Sequence, residues 1–168
     1  MKKHIHASDL AELARGAESS QRARTHLNTH DSTDADVQRL FIATMPGTYI
    51  RPHRHSEAHK WEFFLLLEGS MDLLIFAEDG RLIERTRLSR ADTRAVEIPP
   101  GTWHSYVCCE AGTIALEVKQ GAYLPTTNED FAPWSPAENS DSSNRFLAWM
   151  RDAPIGSTPL GGSNSSKD

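Results

Sequence analysis

The sequence predicts an all-β sandwich or closed barrel, and three observations carry that prediction. Between about Arg22 and Lys119 the chain breaks into short strand-like runs with turn residues at regular intervals and no helical periodicity between them. Asp79-Gly80 joins two alternating runs, a strong hairpin signal because Asp-Gly accepts the positive φ of a type I′ turn. Pro46-Gly47 and Pro99-Pro100-Gly101 mark two further reversals. A length of 168 residues, with 38% hydrophobic and 24% charged residues, suits one globular domain with a core of its own.

Residues 1–21 read as a helix and lead-in: Ser8 caps a short helix to about Ala14, Leu10 and Leu13 share a side, and Gly16 ends it. Residues 22–124 form the barrel. Its strands are expected at Val37 to Met45, Tyr49 to His55, Trp61 to Leu67, Ser70 to Glu78, Arg81 to Leu88, Ala95 to Ile98, His104 to Cys109 and Thr113 to Lys119. Pro125, Pro133 and Pro136 mark residues 125–152 as an extended segment wrapping the barrel, with one or two helical turns from Asn144 to Met150. The Gly/Ser-rich stretch 153–168 is expected to be disordered.

Composition excludes several function classes. A net charge of −5 with mixed signs offers no basic footprint for nucleic acid. The longest wholly apolar run, Phe63 to Leu67, is far too short to cross a bilayer. Met1-Lys2-Lys3 could open a leader, but Asp9, Glu12 and Arg15 break the stretch where its apolar core would lie, so the expectation is a cytoplasmic protein. Cys108 and Cys109 are neighbours, which rules out an unstrained disulfide between them; both read as buried small hydrophobes.

The chemistry concentrates in one constellation. His53 and His55 stand two apart on an expected strand, so their imidazoles leave the same face from backbones about 6.5 Å apart. Two such rings can share an ion. Glu62 heads the apolar run Phe63 to Leu67 and offers a hard carboxylate. His104 lies far along the chain, and only closure of a barrel could bring it to the others. Glu57 and His59 continue the alternation and compete with Glu62. His4 and His6 repeat the spacing and are assigned to no site.

The surroundings sharpen this reading. Gly47 stands six residues before His53, Gly69 seven after Glu62, and Pro99-Pro100-Gly101-Thr102-Trp103-His104 comes later. Together they match Gly-x5-His-x-His, then Glu-x6-Gly, then Pro-x-Gly-x2-His, the two-part motif of the cupin superfamily. The resemblance implies a single cupin barrel (a double-stranded β-helix, or jelly-roll) and the metal ligands His53, His55, Glu62 and His104. Two features depart from the motif: six residues, not three or four, separate His55 from Glu62, and Cys108 stands where Asn is common. Cys108 either lines the pocket or is a structural thiol.

More specifically, the chain resembles the WbuC-like cupin metalloproteins over most of residues 22–138. The carrying segments are Arg22-Ala23-Arg24 with Asn28 and His30, Val37-Gln38-Arg39-Leu40, Gly47 to His55, Lys60-Trp61-Glu62, Ile98 to His104, Glu117 to Tyr123, and Asp130 to Trp134 with Glu138. Those proteins are often found with genes of polysaccharide or O-antigen biosynthesis, and their reaction is not established. The resemblance therefore implies one divalent transition metal (Fe, Zn, Mn or Ni) and a small-molecule ligand.

Arg22, Arg24, His26, Asn28 and His30 alternate, so one strand face would carry all of them, either toward the metal as an anion site or toward solvent. Arg51 shares its face with His53. Arg51, Arg24, His30 and Lys119 are the expected ligand-binding residues. Tyr106 and Glu117 are the candidate acid–base groups, with the pair Glu117 and Lys119 facing either the barrel interior or water. Tyr123 and Trp134 either close the pocket mouth or pack within the wrap. Trp61 to Leu67 is apolar on both faces, so both should be covered, one by a second sheet and the other by a second subunit or the tail. Three functions are compatible with these residues: a metal centre acting as Lewis acid on a sugar-derived or anionic metabolite, an iron-dependent dioxygenase, and a non-catalytic metal- or ligand-binding module.

Overall fold

The computed structural model describes residues 2–159. The elements run α1 (Ala7–Ser19), β1 (Arg24–Asn28), β2 (Val37–Thr44), β3 (Glu62–Glu68), β4 (Ser70–Phe76), β5 (Leu82–Ser89), β6 (Ala95–Ile98), β7 (Trp103–Cys108), β8 (Thr113–Gln120) and α2 (Ser143–Asp152). A five-stranded sheet of order β1-β2-β8-β3-β6 packs against a three-stranded sheet of order β5-β4-β7. All pairings in both sheets are antiparallel.

Alternation decides what lies between the sheets. On β3, Phe64 and Leu66 are buried while Phe63 and Leu65 are half-exposed. Phe64 and Leu66 meet Met71, Leu73, Tyr106 and Ala115 in the inter-sheet core. Strand β7 does not alternate; all six of its residues are buried. Its outer face is covered by the C-terminal segment, where Leu74, Trp103 and Val107 pack with Phe146, Leu147 and Met150 of α2. On the five-stranded sheet, α1 lays Leu10, Leu13 and Ala17 over Ala43 and Ile114.

Several elements differ from expectation. Helix α1 runs through Gly16 to Ser19 and starts a residue before Ser8, because Asp9 takes the His6 backbone N–H at 2.8 Å. The hairpin at Asp79-Gly80 is not type I′. The Gly80 N–H donates to Ala77 O at 3.0 Å and the Ala77 N–H to Arg81 O at 2.9 Å. Gly80 alone takes a positive φ, of 84°, giving a three-residue loop with a bulge. Any Cβ at Gly80 would also press on the Trp134 indole, 2.8 Å away.

The strand expected from Tyr49 to His55 is reduced to isolated bridges, His53 with His104 and His53 with Phe131. Pro52 has no N–H to donate to a ladder, which confines this segment to the edge of β7. Helix α2 is longer than the one or two turns foreseen, at ten residues. The tail expected to lose order from residue 153 is tied down at first: the Leu82 N–H donates to Ser157 O at 2.9 Å and the Gly156 N–H to Leu82 O at 2.7 Å. The remainder of that expectation, residues 160–168, lies outside the described residues. Cys108 is buried, but Cys109 is exposed, against the expectation for both thiols.

Candidate metal centre

The bridge between His53 and His104 builds the centre. Their backbones exchange two hydrogen bonds, His53 N to His104 O at 3.0 Å and His104 N to His53 O at 2.9 Å. This close pairing sets the two rings 4.5 Å apart. His55 joins from the same face of its segment, 5.4 Å from the His53 ring. Glu62, first residue of β3, points inward with Phe64 and Leu66. His53, His55, Glu62 and His104 bring one ligand atom each within 4.8 Å of one another and could hold a metal ion. Glu57 instead pairs with Lys60 at 2.8 Å, and His59 is exposed, so neither displaces Glu62.

The unsatisfied atoms of this donor set fit an ion. Glu62 Oε2 lies 2.9 Å from His104 Nε2 and 3.3 Å from His55 Nε2. All three atoms are nonetheless buried without a hydrogen-bond partner among the described residues, since they point at a common spot and not along each other's axes. Ligand atoms each about 2.1 Å from a shared ion and at right angles sit about 3 Å apart, so the spacing fits. The far ring nitrogens are also arranged for ligation. His53 Nδ1 meets Arg51 O and His104 Nδ1 meets Thr102 O, both at 2.9 Å. An Nδ1–H donated to each carbonyl leaves Nε2 free to bind. Burial and the neighbouring His104 push His53 down to about 3, which keeps it in the neutral, ligating form.

Lys119 closes the other side of Glu62, with Nζ 3.7 Å from Oε1 and 2.5 Å from Glu117 Oε1. The cross-strand partners Glu62–Lys119 and Phe64–Glu117 place both residues on the inward face, which resolves the two orientations left open by sequence. Burial opposes the charge on Glu62, yet Lys119 and the neighbouring His104 and His55 outweigh it and hold the carboxyl well below its usual range. Burial pushes Glu117 up to about 7 against the pull of Lys119. Burial would lower Lys119, but Glu117 and Glu62 raise it above its usual value. Tyr106 packs edge-on against Phe64, and burial followed by Glu117 raises its phenol, which stays protonated.

Two cavities open beside the cluster. The first, of about 380 Å³, is bordered by His55 and by His26, Asn28, His30, Gln38 and Lys119; Tyr123 lies at its rim. The second, of about 360 Å³, is bordered by His53 and by Arg22, Arg24, Arg51 and Glu138. Thr126 borders both. The alternating face of β1 therefore borders these cavities: Arg24, His26 and Asn28 pair with Thr44, Ile42 and Leu40, Arg24 half-buried and His26 and Asn28 exposed.

The remaining candidates are either engaged by other groups or lie outside both cavities. Arg24 is engaged by Glu138, as is Arg22. Tyr106, Glu117 and Cys108 border neither cavity. Trp134 lies far from the mouth, 5.0 Å from Phe76 in the outer core. Sequence reasoning missed Gln38, 3% exposed; on a strand whose inward face otherwise carries Leu40 and Ile42, a buried polar residue was the available signal.

The sheet order and the placement of this cluster define the class: the protein is a cupin jelly-roll with a His/Glu cluster that could hold a metal. The model of the family described as "Domain of unknown function (DUF6016)" matches residues 5–88, and the chain belongs to that family. No curated protein matches its sequence. Among solved structures, TT1209 from Thermus thermophilus is 20% identical at a TM-score of 0.51, covering 71% of this chain and 98% of that one. The capsular polysaccharide assembling protein CapF from Staphylococcus aureus is 19% identical at 0.52, covering 63% of this chain and 30% of its own. A cupin_2 domain of an XRE-family transcriptional regulator from Enterobacter cloacae is 16% identical at 0.46, covering 60% and 98%. The likenesses to TT1209 and CapF concern the fold alone. Among the described residues, no helix is long and apolar enough to cross a membrane.

Proposed function

We propose that this protein binds one divalent transition ion through His53, His55, Glu62 and His104 and acts with it as Lewis acid on a small anionic, sugar-derived metabolite in the cytoplasm. The single observation behind the ion is the convergence of buried, unpartnered nitrogen and oxygen atoms on one spot. The surface-polysaccharide context rests on the WbuC-like segments alone.

Bound there, an ion would polarise a ligand carbonyl or lower the pKa of water. The chain's own residues do the rest. Lys119 borders the first cavity and can donate a hydrogen bond to a ligand oxygen there. Glu117, behind it at 2.5 Å, keeps that ammonium charged and in place, and so acts as a positioning residue. Tyr106 borders neither cavity and is assigned no contact with the ligand.

Elemental analysis of untagged protein tests the reading. About one ion per chain, lost in His104→Ala, supports it; a protein that takes up no ion from Fe, Zn, Mn or Ni sinks it. Iron with oxygen consumption would favour the dioxygenase, and ligand binding without turnover would favour the binding module. A second copy of the chain is the proposed cover for Phe63 and Leu65, half-exposed on β3 beside Leu116 and Val118, and sedimentation equilibrium measures it.

A further inference from the structure

The two cavities differ in what they can accept. The first contains two lysines, but both charges are already answered: Lys60 pairs with Glu57 at 2.8 Å, and Lys119 with Glu117 and Glu62. Burial, then Arg22 and Arg24, lowers the pKa of His26, which favours the neutral ring. What stays unanswered is a hydrogen-bond acceptor. The Gln38 side-chain amide nitrogen donates to Ala35 O at 2.9 Å and Thr33 O at 3.1 Å, which fixes the orientation of the amide. Its Oε1 is then left buried with no donor among the described residues. A carboxylate or phosphate here would set acceptor against acceptor; a hydroxyl supplies the missing donor and can also accept from Asn28 or His26.

The second cavity has the reverse character. Three guanidinium groups, Arg22, Arg24 and Arg51, face one carboxylate, Glu138. Glu138 is shared by Arg22 and Arg24. Arg51 meets only neutral partners among the described residues: Nε donates to Ser135 Oγ at 3.1 Å, a terminal nitrogen to Ala132 O at 3.4 Å, and the group lies 4.7 Å over the Phe131 ring. Those contacts fix the fork and leave donors for an anion. His55 borders one cavity and His53 the other, so the ligand cluster sits at their junction.

We propose that the two cavities form one divided binding site, which takes the uncharged, hydroxyl-rich arm of a ligand on the Gln38 side and its anionic end, carboxylate or phosphate, on the Arg51 side. The proposal deepens the metal reading, on which it rests for placing the reacting centre at the junction.

Calorimetric titration of metal-loaded protein with glucose, glucuronate, glucose 1-phosphate and inorganic phosphate tests it. The expected result is that glucuronate or glucose 1-phosphate binds about tenfold or more tightly than both glucose and phosphate, and the better of the two names the anion. Arg51→Met should remove most of that advantage over glucose, and Arg51→Lys should restore part of it. Gln38→Leu should weaken the anionic sugar and leave inorganic phosphate unchanged. Matching melting curves and metal content would show that the variants are folded. Equal affinity for glucose and its anionic forms, indifference to Arg51→Met in folded protein, or no binding of any of the four at millimolar concentration would overturn the proposal. Repeating the titration on chelator-stripped protein separates the two readings: a surviving preference keeps the divided site without the metal, whereas a loaded ion with no preference removes the divided site alone.

Discussion

Glu62 divides its two oxygens between different neighbours, Oε2 toward the imidazoles and Oε1 toward Lys119. Lys119→Met should therefore leave two carboxylates buried without their cation. In metal-stripped protein this should cost about 3–5 kcal/mol, measured by urea unfolding, and metal should restore part of it. Gly69 has φ 74°, and any Cβ there would run into Thr113, whose hydroxyl takes the Ser70 N–H at 3.1 Å. Gly69→Ala should destabilise by about 2 kcal/mol or more in the same measurement. This gives a physical reason for one glycine of the motif. The cluster that could hold an ion was readable at this scale because glycines and prolines at fixed distances framed the histidines. The competition from Glu57 and His59 was not resolvable from spacing, because only the turn that pairs Glu57 with Lys60 removes it.

Strand β1 is clamped at its start by Glu138, which accepts from Arg22 at 2.7 Å and from Arg24 at 2.9 Å. Burial would raise the Glu138 carboxyl, but the two arginines hold it at about 2, against an unfolded value of 4.5. Its folded pKa is depressed, so its stabilisation is present above pH 4.5 and is lost as pH falls toward 2. Discounted for solvent screening, that amounts to about 1–2 kcal/mol. Glu138→Gln should lower stability by this amount at pH 7 and by little near pH 2, read from denaturation midpoints at the two pH values. Helix α2 depends on Met150, which is fully buried, and Met150→Ala should cost about 2–5 kcal/mol by urea unfolding. The strands were legible from alternation and turn residues, with limits that show why. Asp79-Gly80 marked a reversal but not its type, since Trp134 packing on Gly80 comes from far along the chain. The run from Tyr49 to His55 alternated like a strand, yet Pro52 leaves it without a continuous ladder.

At the scale of the molecule, two layers enclose one core and a third, made by α2 and the segment before it, encloses another. The sequence announced the first through periodicity. It left open what would cover each outer face, because apolar content on both sides of a strand shows that a cover is needed without naming it. The answer differs by strand: the outer face of β7 takes α2, whereas that of β3 keeps Phe63 and Leu65 half-exposed.

The bridge between His53 and His104 joins two stretches distant in sequence through a few hydrogen bonds: its own backbone pair, Gly101 N–H to His55 O at 2.7 Å, and the Ser105 hydroxyl to Ile50 O at 2.7 Å. A cation shared by those side chains would bind the folded chain and not the unfolded one, and would work as a removable cross-link. Thermal resistance should then climb with the logarithm of free ion, by about 2.7 kcal/mol at a hundredfold excess over the dissociation constant. Differential scanning calorimetry across a metal series should show that climb, and a chelator should reverse it.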